Sequence, residues 1–329
     1  MSKGIILSGM RPTGKLHIGH LSVLENWVRL QSEYECNFAI VDWHALTTSF
    51  DDTSLIKENV WNMALDWLAV GIDPEKSTIF IQSRILEHAE LHLLFSMFTP
   101  LSWLERVPTY KDQIQQLGMQ GKDISTYGFL GYPLLQAADI LVYRANAVPV
   151  GEDQLPHLEL CREIARRFNF LYQTNLFPEP QALLAKIAWL PGVDGRKMSK
   201  SYHNEIAIDA SEEEIAAKVR QMVTDPQRIH KTDPGHPEVC TVHIYQKLYN
   251  TGGIEEITES CRSGAIGCVA CKKQLAAKIN EALMPIREKR KGLAAKPQLV
   301  KEILAAGEEC ARKKARETMQ LVREAMGVQ

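Results

Sequence analysis

The sequence predicts an α/β protein: a parallel sheet covered by helices on both faces, followed by an all-α C-terminal region. Three observations carry this. Short, continuous apolar runs at residues 5–7, 38–41 and 77–81 alternate with amphipathic stretches over the first half, the pattern of strands buried on both faces and joined by helices. Beyond about residue 205 strand-like runs become rare, and 212–223, 269–282 and 296–322 read as charged helices. With 329 residues, 45% of them apolar, the chain has the length of two domains and the material for a full core. That composition excludes a disordered chain, a collagen and a coiled-coil rod.

Each element follows from local chemistry. The first strand ends at Ser8-Gly9 and a loop holding Pro12 and Gly14. A helix follows, with Leu21, Leu24, Val28 and Leu30 apolar at near-helical spacing. After the second strand, Asp51, Asp52, Thr53 and Ser54 offer N-caps for a helix carrying Val60, Ala64, Leu65 and Leu68. Gly71-Ile72-Asp73-Pro74 stops that helix before the third strand. Pro191, Gly192 and Gly195 weaken regular structure between 189 and 204. The expected boundary lies there: a sheet domain over 1–200 and a helical domain over 201–329.

Charge and cysteine content narrow the class. No window holds 18 uncharged apolar residues, so no transmembrane helix and no membrane partner are expected. The N-terminal apolar run is too short for a secretory signal, and seven cysteines, an odd number, do not suit a disulfide framework. The expected location is the cytoplasm. The formal net charge is −2, so any nucleic-acid contact must come from a local patch. Residues 285–316 supply one, ten Lys/Arg against four Glu, a net of +6. Such a segment suits a phosphate backbone, although its residues taken singly are also those of an ordinary solvated helix.

Two stretches carry most of the chemistry. Gly9-Met10-Arg11-Pro12-Thr13-Gly14-Lys15-Leu16-His17-Ile18-Gly19-His20 follows the first strand and opens the first helix. A helix N-terminus there offers backbone N–H groups to an anion. His17 and His20 share one face of the turn, and Gly19 lets a bulky group approach the backbone. Taken alone, the histidines are equally an incidental surface pair or a partial metal site. The second stretch is Lys197-Met198-Ser199-Lys200-Ser201, behind a glycine-bearing loop. Two lysines three apart, with flanking hydroxyls, can grip a polyphosphate, and the loop can close over it.

The order HIGH then KMSKS resembles the class I aminoacyl-tRNA synthetases, a class built on a Rossmann-like doubly wound parallel sheet. GMRPTG (9–14), VDWHALTT (41–48), LERVPTYK (104–111), YPLLQAAD (132–139) and VPVGEDQ (148–154) narrow the resemblance to the tryptophan/tyrosine pair. From residue 4 to about 325 the chain looks like the tryptophan enzymes. The resemblance implies ATP with Mg²⁺ as cosubstrate, L-tryptophan and tRNA(Trp) as substrates, a homodimer, no DNA partner, and an anticodon-reading helical domain. It places Arg11, Pro12, Thr13, Gly19 and His20 at the ATP site, and Gly151, Glu152 and Asp153 on the ribose and adenine side. Lys197, Met198, Ser199, Lys200 and Ser201 fall at the pyrophosphate. His17, His20, Lys197 and Lys200 suit the charge that builds on the phosphates in the transition state.

Asp139 lies in the apolar run 133–141. A carboxylate there can accept a hydrogen bond from a ligand N–H or O–H, or it can be a helix-face Asp in a structural salt bridge. Physics does not choose between an indole and a phenol; the resemblance favours the indole. It also implies Tyr132 and Gln136 around the substrate amino group, with Gln154 close by. His44 is either near this pocket or a packed core histidine. Gln136, with Tyr132 and Asp139, also looks like the tyrosine enzymes' pocket, which keeps tyrosine as the alternative substrate.

Cys240, Cys261, Cys268 and Cys271 can bind Zn²⁺ or an iron–sulfur cluster, and spacing alone does not choose. The resemblance implies a [4Fe–4S] cluster, as a subset of the tryptophan enzymes carries four C-terminal cysteines ending in the same C-x₆-C-x₂-C run. Two other classes of reading remain: a small-molecule nucleotidyltransferase that shares the H-x-G-H turn, and a non-catalytic iron–sulfur RNA-binding regulator.

Overall fold

The computed structural model describes residues 2–108, 114, 123–184, 190–199 and 202–328. Strands β1 to β5 are Ile5–Met10, Glu35–Ile40, Ser77–Ile81, Ala147–Val150 and Gln181–Leu184. Helices α1 to α4 are Leu21–Leu30, Asp42–Ser49, Ile56–Val70 and Glu87–Ser96. Next come α5 (Leu101–Glu105), α6 (Tyr127–Leu141), α7 (Leu155–Leu171) and α8 (Glu212–Gln221). The last four are α9 (Thr241–Tyr249), α10 (Ile254–Arg262), α11 (Cys268–Ala294) and α12 (Pro297–Met326). The chain forms two compact units, Met1–Gly14 with Val23–Ile187 and Lys296–Gln329, and Lys15–Ser22 with Ala188–Ala295.

The first unit holds a parallel sheet in the order β3-β2-β1-β4-β5. Ile5 sits opposite Glu35, Phe38 opposite Ile79, and Val148 opposite Ala182. Side chains alternate between faces along each strand. Phe38 meets Trp27 of α1 in a stack (4.5 Å between centroids), and Trp67 of α3 meets Trp27 edge-on at 5.1 Å. Leu7, Ala39 and Phe80 join another cluster with Phe95, Leu134 and Phe168 from α4, α6 and α7. Each such side chain contributes about 1.5–3 kcal/mol on burial. The order runs outward from β1 to β3 and then returns to β4 on the other side of β1. A crevice opens at such a reversal, outside the carboxyl ends of the strands.

In the second unit, Ser211 caps α8: its hydroxyl accepts from the Glu214 N–H (3.2 Å), and Glu214 reaches back to the Ser211 N–H (2.7 Å). This reciprocal pair is worth about 1 kcal/mol. Helix α8 packs on α11, with Ile215, Val219, Leu275, Ile279 and Leu283 buried.

The units do not follow one cut at residue 200. The expected helical region is helical, but its last helix, α12, packs with the sheet unit. Gly307 of α12 approaches β3 so closely that an added Cβ would overlap the Ile79 carbonyl oxygen. Arg323 grips Glu90 of α4 through two 2.7 Å hydrogen bonds. An amphipathic pattern marks a helix's buried face without naming what it faces, which is why the sequence places α12 in the wrong neighbourhood.

Candidate active site

The second unit brings the two motifs together. Ile18–His20 forms a 3₁₀ turn immediately before α1. The His20 N–H donates to the His17 carbonyl (2.8 Å), and the His17 N–H donates to His20 Nδ1 (3.1 Å). The two rings lie 3.8 Å apart, so they do share a face. Residues 16–18 then pair with the chain that follows the lysine loop. The Ile18 N–H donates to the Ile206 carbonyl (2.9 Å), and the Ile208 N–H donates to the Leu16 carbonyl (3.0 Å). A side chain on Gly19 would come within 3.5 Å of Met198 Sδ. The histidine turn and the lysine loop therefore meet in one place.

The loop is held by a residue the sequence reading passed over. Asn204, buried, accepts from the Ser199 N–H (2.8 Å) and donates to Asp194 (2.7 Å) and the Lys197 carbonyl (3.1 Å). Lys197 forms an antiparallel bridge with Pro191, and Tyr245 of α9 donates to the Pro191 carbonyl at 2.5 Å. Lys200 and Ser201 lie outside the described residues.

The first unit contains a cavity of about 350 Å³ at the β1/β4 reversal. Its walls include Leu7–Arg11 of the β1 end and Val148–Gly151 of the β4 end. His44, Tyr132, Gln136, Asp139 and Gln154 all line it, with Arg11 and Gly151. Phe129, Val41, Ile140 and Trp27 supply apolar surface that the sequence reading did not assign. Glu152 and Asp153 are exposed and are not among the lining residues.

Asp139 is the polar centre of this cavity. It is 2% exposed and accepts from His44 Nε2 (2.8 Å), His88 Nδ1 (2.6 Å) and Gln82 Nε2 (2.8 and 2.9 Å). Burial pushes its pKa up, but the hydrogen bonds from His44 and His88 outweigh burial and hold the carboxyl well below its usual range. The sequence alternative of a structural pairing is thus half realised: Asp139 is bonded from behind and still reaches the cavity. Tyr132 shares a 3.1 Å hydrogen bond with His157 Nε2.

A family model described as tRNA synthetases class I (W and Y) matches residues 2–284. The chain is 53% identical over 327 residues to the tryptophan–tRNA ligase of Thermotoga maritima, covering 98% of this chain and 99% of that one. It is 44% identical to the tryptophan–tRNA ligase of Streptococcus mutans, over 100% of this chain and 99% of that one. The chain belongs to the class I tRNA synthetases of the tryptophan and tyrosine family. Among solved structures, the tryptophanyl-tRNA synthetase of Campylobacter jejuni complexed with ADP and tryptophan superposes with a TM-score of 0.89 at 36% identity. That match covers 98% of this chain and 100% of that one.

Two further features of this synthetase lie away from the cavity. Arg228 brings a guanidinium nitrogen to 3.9 Å from both Cys261 and Cys268 Sγ. Burial, and then the nearby Cys240, Cys261 and Cys268, push the Cys271 thiol up to about 11, against a weaker pull from the Gln246 amide 3.5 Å away. All four thiols therefore share one neighbourhood. Among the described residues no three His, Cys, Asp or Glu side chains are grouped closely enough to hold a single ion. The basic segment divides between the units. In the second, Arg287 donates to the Ala210 carbonyl and Arg290 faces Asp209 at 3.8 Å. In the first, Arg312, Lys314 and Arg316 pair with Glu309, Glu35 and Glu87. Much of its positive charge is committed inside the molecule. No helix among the described residues is long and apolar enough to cross a membrane.

Proposed function

We propose that this synthetase is a tryptophan–tRNA ligase. The tryptophan carboxylate attacks the α-phosphate of ATP and pyrophosphate leaves. The adenylate then passes its acyl group to a ribose hydroxyl at the 3′ end of tRNA(Trp), releasing AMP. The observation that carries this reading is the cavity at the β1/β4 reversal: an apolar chamber with one ionised carboxylate, Asp139, at its centre.

In this reading Asp139 accepts the indole N–H. Tyr132, Gln136 and Gln154 surround the amino group, and His44 lies beside Asp139. Arg11, Pro12 and Thr13, with Gly151, Glu152 and Asp153, serve ATP. Gly19 leaves room for the nucleotide. His17, His20, Lys197 and Lys200 act as catalytic residues by meeting the phosphate charge of the transition state, with Met198, Ser199 and Ser201 completing the loop. This is catalysis by positioning and charge, as suits an in-line displacement. Mg²⁺ bound to ATP would neutralise the departing pyrophosphate. The test is amino-acid-dependent exchange of labelled pyrophosphate into ATP with each of the twenty amino acids. Exchange with tryptophan alone is expected; exchange with tyrosine alone moves the assignment to tyrosine, and none at all favours a non-catalytic RNA-binding regulator.

Cys240, Cys261, Cys268 and Cys271 are assigned to a [4Fe–4S] cluster, with Zn²⁺ as the alternative. A zinc ion with bonds of about 2.3 Å draws its sulfurs to roughly 4 Å from one another. Thiols that share a neighbourhood without closing on one point suit the larger group better. Gly235 fits too, as a Cβ there would stand 2.6 Å from Cys261 Sγ. The cluster would act as a structural clip. Anaerobically purified protein should be brown, absorb in the visible blue and contain equal iron and sulfide. Stoichiometric zinc without either would remove the assignment.

The helical region of 202–295 is the proposed tRNA-binding part, and a homodimer in the cytoplasm is the proposed assembly. Leu86, Leu93, Met97 and Leu101, all more than half exposed along α4 and α5, are the surface offered to the second copy. The stretch 104–111, first considered for this contact, lies partly outside the described residues.

A further inference from the structure

Asp139 ends a hydrogen-bonded chain that runs back into the protein, away from the cavity. Of its three donors only His44 lines the cavity; Gln82 and His88 are both 0% exposed. Gln82 is itself fixed, since its Oε1 accepts from the Trp43 N–H at 3.1 Å. His88 Nε2 lies 2.7 Å from the Tyr143 hydroxyl. Burial pushes the Tyr143 phenol well above its ordinary range, so the phenol keeps its proton. With Tyr143 O–H donating to His88 Nε2, the ring proton sits on Nδ1 and donates to Asp139.

We infer that Tyr143 and His88 are positioning residues for amino-acid selection: they hold Asp139 as an ionised acceptor facing the substrate ring. The inference rests on the reading of Asp139 as the indole partner. Its physical content is a sign. A carboxyl group alone in an apolar chamber takes up a proton, and its O–H then donates as well as accepts. A phenol can answer either role, but an indole N–H can only donate. Only a carboxylate kept charged from behind suits the indole in particular. Tyr143, His88 and Gln82 do this without touching the substrate, and two 2.6–2.7 Å contacts in series leave the imidazole little freedom to turn.

The test is steady-state pyrophosphate exchange with tryptophan and with its benzothiophene analogue, in which sulfur replaces the ring N–H. His88→Ala should raise KM for tryptophan by about 10- to 100-fold, the size of a lost charge-assisted hydrogen bond. Its kcat and its KM for ATP should stay within about threefold, and the preference for tryptophan over the analogue should largely disappear. His88→Asn, whose amide can offer an N–H near the Nδ1 position, should restore much of that preference. Tyr143→Phe, which removes one oxygen, should show the same loss in weaker form, and it decides the matter if His88→Ala does not fold. Asp139→Asn is the control. If it leaves the preference intact, the reading of Asp139 itself falls. If it abolishes the preference while His88→Ala and Tyr143→Phe keep it, the relay is overturned and Asp139 stands. A uniform fall in kcat and in the affinity for both substrates also overturns the relay, since that is what a merely structural role predicts.

Discussion

His157 shows how the chamber limits its own chemistry at the level of one residue. It is 2% exposed, and burial lowers its pKa to about 4. Between pH 6.5 and 4 the unfolded imidazole carries a proton that the folded one does not, so stability is full above that window and falls as the pH drops through it. The loss is up to roughly 3 kcal/mol. His157→Gln should flatten this acid limb in thermal unfolding measured from pH 7 to 4.5. Parallel curves for the two proteins would remove His157 as its source. The neutral ring, bonded to Tyr132, keeps positive charge from the wall proposed to meet the substrate ammonium. Asp139 shows the opposite outcome of burial, because its donors outweigh desolvation.

At the level of elements, α12 against β3 and α11 in the second unit pose one question with opposite answers. Both helices contain an interior glycine, which costs about 1 kcal/mol relative to alanine. Nothing lies within 4 Å of a Cβ added at Gly292 of α11, whereas at Gly307 of α12 it would overlap the β3 backbone. Gly292→Ala should therefore stabilise the protein by up to about 1 kcal/mol. Gly307→Ala should destabilise it by about 1–3 kcal/mol, because a strand carbonyl cannot step aside as a side chain can. Urea unfolding midpoints check both, and shifts of the same sign would show that the close approach has no energetic weight.

Across the whole molecule, the sequence disclosed what is local. Apolar runs announced β1 to β3, and periodicity found α1, α3, α8, α11 and α12 near their true limits. Strands β4 and β5 escaped notice because each is only four residues long and β4 contains Pro149. Helix α2 follows β2 with one residue between and has no side-chain cap to mark its start. In the site, the motif residues could be read because their spacing is local. Gln82 and His88 could not, since a buried polar residue is defined by its partner, here 57 and 51 positions away. The same limit hid the role of Asn204.

The helix that ends the chain also has a bearing on how the molecule is made. The outer strand of the sheet leaves the ribosome early, yet the element laid along it, α12, is translated last, after the entire intervening unit. Throughout synthesis that margin stands bare, ready to recruit any passing extended peptide. A nascent chain of this design needs escort until its final turn is released, and errors that remove only the tail leave a sticky edge in place of a finished protein.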